Sequence, residues 1–165
     1  MRVKIVLVMH NVRSCHNVGS MLRTADGLGV EYVYLTGYTP YPKEAGDPRL
    51  FHLSSRTDAR IAKTSLGAEK SVKWKHYDEL YPVIEELRSQ GYYIVALEQT
   101  VSSTSLSDFK QADKIALIVG SEVTGLDREI LDFVDTCVEI PMRGKKESFN
   151  VSIAAAIALY HLKNF

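Results

Sequence analysis

The chain has 165 residues, 45% apolar and 24% charged, with 20 Lys and Arg against 20 Asp and Glu. This composition excludes a disordered chain and predicts one domain, residues 1–165, large enough to bury a core without disulfide or metal staples. No run reaches the eighteen or so apolar residues of a membrane span, and a zero net charge speaks at first against nucleic acid as a partner.

The first element is Val3–Met9. It follows a basic start as a signal peptide would, but it is short and carries Lys4 inside it, so it reads as a buried strand. Residues 17–30, NVGSMLRTADGLGV, hold a helix over Gly19–Leu28, with Asn17 or Ser20 as its cap. Glu31–Leu35 is a second strand, and Gly37–Pro48 (GYTPYPKEAGDP) a loop too short to link domains. A third strand is expected over Ser71–Tyr77. A helix over Tyr77–Gln90 follows, with Arg88 in its last turn and Gly91 just past it. Tyr92–Leu97, Lys114–Val119 and Thr136–Ile140 complete the strands, and Asp127–Phe133 and Asn150–Lys163 the helices. β-branched apolar runs alternating with helices predict an α/β domain, its mainly parallel sheet covered on both faces.

Ligands of such sheets sit beyond the carboxyl ends of the strands, which directs attention to three loops. After the first strand, Asn17 and Arg23 lie at a helix start, where they serve either as a shared anion site or as a cap and a surface cation. In IVGSEVTGL, residues 118–126, Gly120 and Gly125 let backbone approach a flat ligand, and Glu122 either anchors a polar group or organises the loop. In IPMRGKKESFN, residues 140–150, a basic run precedes Ser148 and Asn150 at the head of a helix apolar nearly all round, which asks for burial on more than one side. None of the three matches a dinucleotide fingerprint or a P-loop.

The neutral total hides segregation. Residues 1–23 carry a net of +4, residues 56–75 another +4 and residues 143–165 a net of +3, whereas residues 76–142 carry −9. Segregation is what a local anion-binding face requires, so the first inference from net charge is withdrawn. The candidate cations of such an anion-binding face are Arg13, Arg56, Arg60, Lys63, Lys70, Lys73, Arg143, Lys145 and Lys146. Tyr38, Tyr41, His52 and Trp74 are candidates for stacking on bases, or are simply packing and loop residues. Cys15 and Cys137 show no metal-ligand spacing; a reducing cytoplasm and no metal are expected.

Together the three loops resemble the motifs of the SpoU/TrmH family of RNA ribose methyltransferases, within the SPOUT superfamily. The first is matched by Asn17, Gly19, Arg23 and Ala25, the second by Gly120, Glu122, Gly125 and Leu126. The third is matched by Ile140, Pro141, Met142, Gly144, Ser148, Asn150, Ser152 and Ala154. Phe149 stands where the family commonly has Leu. The resemblance implies a C-terminal deep trefoil knot, a homodimer built partly on the first and last helices, and S-adenosylmethionine as cofactor. The cofactor would be held by Leu97, Glu98, Gln99 and Thr100; by Val119, Gly120, Ser121 and Glu122; and by Ile140, Met142, Gly144, Ser148 and Asn150. It implies methyl transfer to a ribose 2′-hydroxyl of RNA, tRNA rather than rRNA. Arg23 would act at the hydroxyl, and Asn17, Glu122, Ser148 and Asn150 would position the groups around it. Base methylation, and a non-catalytic RNA-binding module, are the rival readings.

Overall fold

The apolar run at the start of the chain becomes the middle of the sheet. In the computed structural model, which describes residues 3–110 and 112–164, β1 (Lys4–His10) lies between β2 (Tyr32–Thr36) and β6 (Lys114–Val119). Because side chains alternate across a strand, Ile5, Leu7 and Met9 enter one core and Val6 and Val8 the other. Among the described residues the seven strands are all parallel, in the order β3-β2-β1-β6-β4-β7-β5, where β3 is Trp74–Tyr77, β4 Tyr93–Leu97, β5 Thr104–Ser105 and β7 Thr136–Glu139. The expected mainly parallel α/β sheet is therefore present, and helices cover both faces.

One face is packed by α1 (Cys15–Gly27), by α2 (Phe51–Ser65) through Ile61, and by α6 (Val151–Asn164). The other is packed by α4 (Tyr81–Ser89), through Val83, Ile84 and Leu87, and by α5 (Arg128–Phe133), through Ile130. A short helix, α3 (Ala68–Ser71), fills the start of the span expected as strand, so β3 begins only at Trp74. Helix α2 lies in a stretch for which no helix was expected. Its buried positions include two serines, Ser54 and Ser65, and only one large apolar side chain, Ile61, so it has almost no apolar period to read. Helix α1 starts at Cys15 rather than Gly19, capped by the Ser14 hydroxyl, which accepts from the Asn17 N–H (3.3 Å). Helix α4 starts at Tyr81, four residues later than expected, with proline in its first turn.

Two close approaches place the site. Helices α1 and α2 cross at Gly19, where an added Cβ would stand 2.3 Å from the Ile61 carbonyl oxygen. Strand β7 inserts between β4 and β5, so residues 98–103 arch over its end. The Glu98 N–H donates to the Val138 carbonyl (3.0 Å), and the Ser103 hydroxyl to Glu139 Oε2 (2.5 Å). No helix among the described residues is long and apolar enough to cross a membrane.

Candidate functional site

The carboxyl ends of β4, β6 and β7 open onto a cleft of ≈ 510 Å³, at the position expected for a ligand of a parallel sheet. Leu97, Glu98 and Gln99 form one wall, and Val119, Gly120, Ser121 and Glu122 the second. Ile140, Ser148 and Asn150 contribute to the third, so three segments distant in the chain meet in one cleft. Thr100, Met142 and Gly144 do not line it. Thr100 belongs to the arch instead, its N–H donating to Ser103 Oγ (3.2 Å) and its carbonyl accepting the Ser103 hydroxyl (2.8 Å). Val123, Thr124, Glu139, Phe149 and Val151 also line the cleft and were not named as site residues. Their one signal was adjacency to the motif positions.

The second loop closes on itself. The Ser121 N–H donates to the Gly125 carbonyl (3.1 Å), and the Gly125 N–H to the Ser121 carbonyl (2.9 Å). Gly125 has φ of +67°, and a Cβ there would stand 2.2 Å from Glu98 Oε2. A Cβ on Gly120 would stand 2.6 Å from the Gly125 carbonyl carbon and oxygen, so Gly120 is required by close approach to backbone and Gly125 by its positive φ. The Glu98 carboxylate accepts the N–H groups of Gln99 (3.0 Å) and Leu126 (3.1 Å), tying the first wall to the second.

Glu122 ties the second wall to the first loop. Its carboxylate accepts the Arg13 N–H (2.8 Å), the Ser14 N–H (3.0 Å) and the Asn17 amide N–H (2.8 Å). Burial raises its pKa, but these donors outweigh burial and hold the carboxyl below its ordinary range. Asn17 in turn accepts, on Oδ1, the Asn150 amide (3.2 Å), and Asn150 Oδ1 accepts the Ser152 N–H (2.9 Å) and hydroxyl (2.6 Å) at the head of α6. Asn17 is thus a hinge between loops, and neither it nor Ser20 caps α1. Ser148 sits exposed on the rim.

Arg23 departs from expectation. It lies six residues beyond Asn17, which at about 100° per residue turns it roughly 120° away, and it does not line the cleft of its own chain. The next residue, Thr24, lines an apolar concavity between α1 and α6 together with Gly27, Leu28, Ala156, Ile157 and Tyr160; Arg23 itself does not. On α6, Ile153, Ile157 and Tyr160 are exposed at 52%, 38% and 56%, the latter two within that concavity.

The candidate cations Arg13, Arg56, Arg60, Lys63, Lys70, Lys73, Arg143, Lys145 and Lys146 are all exposed, and none is in an ion pair among the described residues. Of the stacking candidates, Tyr38 and His52 are exposed. Tyr41 is buried between His76 and the Arg49 guanidinium, and the half-buried Trp74 donates its indole N–H to the Glu69 carbonyl (2.9 Å), so those two are packing residues.

Fold and cleft define a parallel α/β domain whose ligand would be held by loops from three strand ends. The chain belongs to the SpoU rRNA Methylase family, whose model matches residues 4–160. It is 31% identical over 157 residues to a Staphylococcus haemolyticus protein named for the TrmH family of tRNA/rRNA methyltransferases. That match covers 95% of this chain but only 57% of the relative, so the chain spans little more than half of its curated relative's length. Among solved structures, the A. aeolicus TrmH/SpoU tRNA modifying enzyme superposes with a TM-score of 0.79 at 27% identity, over 97% of this chain and 74% of that one. An AdoMet-bound rRNA methyltransferase from Sinorhizobium meliloti shares the fold, with a TM-score of 0.80 at 22% identity, over 98% and 56% of the two chains.

Proposed function

We propose that the chain is an S-adenosylmethionine-dependent RNA methyltransferase acting on a ribose 2′-hydroxyl, of tRNA in preference to rRNA, in the cytoplasm. The observation that carries this reading is the Asn17–Glu122–Asn150 network, which draws all three loops of the resemblance to one cleft rim. The cleft suits the cofactor: its volume falls in the range of small-molecule sites, with apolar walls at Leu97, Val119 and Ile140 and polar loop backbone between them.

When bound, S-adenosylmethionine supplies a methyl group carried on a positively charged sulfur. The chain must add alignment, and stabilisation of the 2′-oxygen as its proton leaves. Arg23 would orient the hydroxyl and stabilise the developing alkoxide; a guanidinium is a poor proton acceptor, and an RNA phosphate would take the proton instead. Asn17, Glu122, Ser148 and Asn150 would hold the loops in register. Since Arg23 does not reach its own cleft, the reading requires a homodimer on the exposed α1–α6 face to bring it to one. The arch of residues 98–103 over the end of β7 is the segment through which the chain of the expected knot would pass.

The test is methylation of total tRNA and total rRNA by the wild type and by Arg23→Ala, with digestion and mass mapping of the product. Ribose methylation of tRNA, lost in Arg23→Ala, is expected. Base methylation, or no turnover despite RNA binding, would replace this reading by one of its rivals.

A further inference from the structure

Two apolar side chains stand at the mouth of the cleft and belong to neither core. Val123 and Phe149 line the cleft from its second and third walls, and are exposed at 72% and 40%. Leu97, Ile140 and Val151 line it too, but each of those packs against a core. Val123 and Phe149 join no core cluster, and among the described residues the Phe149 ring pairs with no other aromatic ring and no cation. One exposed apolar side chain needs no explanation; two that share a cleft mouth do.

Both are held by the segments that carry them. Val123 is the middle residue of the Ser121–Gly125 loop, which two backbone hydrogen bonds close, and its own N–H donates to Ser121 Oγ (3.3 Å). Phe149 precedes Asn150, whose carbonyl accepts the Ala154 N–H (2.9 Å) and whose side-chain amide donates to Asn17 Oδ1 (3.2 Å). The Asn17 amide donates in turn to Glu122 (2.8 Å), the residue before Val123. A single asparagine side chain therefore joins the neighbour of Val123 to the neighbour of Phe149. Apolar groups fixed in this way lose little freedom when a flat ligand comes against them.

The reaction brings two flat groups to this cleft, the adenine of the cofactor and a base of the RNA. The adenine has the buried and half-buried walls at Leu97, Val119 and Ile140, whereas Val123 and Phe149 are open to solvent, the side from which an RNA must enter. We propose that Val123 and Phe149 form an apolar slot for the base of the nucleotide being methylated, with the Phe149 ring as its stacking face. The inference rests on the RNA methyltransferase reading and adds the state of the substrate. Ribose 2′-hydroxyls are displayed in the shallow groove of an RNA duplex, so methyl transfer by itself needs no unpaired base. A slot that takes the base does need one. The substrate is then a nucleotide unstacked from its neighbours, and because stacking reads no hydrogen-bonding edge, the slot accepts more than one base.

The test uses steady-state kinetics on a transcript of the tRNA that the wild type methylates, alone or with a complementary oligoribonucleotide annealed over the mapped nucleotide. The proteins compared are the wild type, Phe149→Leu, Phe149→Trp, Val123→Ala and Val101→Ala. Leucine keeps an apolar side chain and removes the ring, and is expected to raise KM for the transcript roughly five- to a hundredfold while kcat changes less than about threefold. Phe149→Trp restores a stacking face and should recover most of that loss, and Val123→Ala should raise KM about two- to fivefold. Val101 is exposed on the arch and does not line the cleft, so Val101→Ala should leave KM unchanged. All variants should bind S-adenosylmethionine with wild-type affinity by calorimetry, which shows that they are folded, and annealing should lower wild-type kcat/KM roughly tenfold or more. A wild-type KM in Phe149→Leu, or an annealed transcript methylated as well as the free one, overturns the slot and leaves the reading beneath it standing. Weakened cofactor binding with an unchanged KM for RNA places the ring on the adenine, and altered sedimentation with an unchanged KM assigns the pair to a protein contact; either overturns the slot. A wild type that methylates no RNA overturns both.

Discussion

Glu122→Gln isolates the junction on which the cleft depends. The carboxylate accepts three N–H donors at 2.8, 3.0 and 2.8 Å, two on Oε1 and one on Oε2. A glutamine can seat its oxygen at the Oε1 position, keeping Ser14 and Asn17 as neutral bonds, but its NH₂ then faces the Arg13 N–H. One charge-assisted bond, worth about 1.5–3 kcal/mol, is lost and two are weakened; discounted for exposure at the rim, the cost is about 2 kcal/mol. That corresponds to roughly thirtyfold in the docking equilibrium of the first and second loops. S-adenosylmethionine affinity, measured by calorimetry, should fall five- to thirtyfold, and the urea midpoint should drop. The folded pKa of Glu122 is depressed, so its contribution is fully present above the ordinary value of 4.5 and is lost as pH falls through the folded value. The stability gap between wild type and variant should therefore narrow below about pH 4.5. A variant with the wild-type midpoint and cofactor affinity at neutral pH would refute the idea that Glu122 docks these loops.

Two further outcomes follow from the same structure. His10 Nε2 lies 3.0 Å from the Asn11 amide nitrogen, whose orientation is set because Asn11 Oδ1 accepts the Tyr38 N–H; the ring is therefore neutral with its proton on Nδ1, facing Thr36 Oγ1 at 2.9 Å. Burial lowers its pKa against a smaller opposing effect of Asp127, so wild-type stability should decline as pH falls below 6.5, and urea titrations at several pH values should show His10→Gln lacking that component. Ile157→Lys places a charge in the exposed α1–α6 concavity and should leave a monomer in sedimentation velocity under conditions where the wild type is a dimer; a monomeric wild type would remove the basis for bringing Arg23 to a cleft.

What was legible in the sequence follows from periodicity and its limits. The strands in the middle of the sheet, such as β1 and β6, are apolar on both faces and announced themselves; α2 did not, because it buries Ser54, Ile61 and Ser65 and exposes Phe51 and Leu53. β5 is only two residues long, too short for any pattern. In the site, the glycines and polar motif residues were visible as residue types that turns and caps require. The placement of Arg23 was not, because it depends on where α1 begins: a start at Cys15 rather than Gly19 leaves Arg23 two turns into the helix instead of one.

The balance of charge acquires a physical meaning from the hydrogen bonds. Several carboxylates of the acidic stretch act as internal acceptors for backbone N–H groups. Glu98 takes the N–H groups of Gln99 and Leu126, and Glu122 those of Arg13 and Ser14. A carboxylate spent this way satisfies loop backbone that no helix or sheet ladder reaches, and is no longer available to neutralise a surface cation. The lysines and arginines of residues 56–75 and 143–146 keep their charge directed at solvent. A chain of zero net charge can therefore present a positive face to a polyanion, and the acids that hold its cleft in shape are the ones that make this possible.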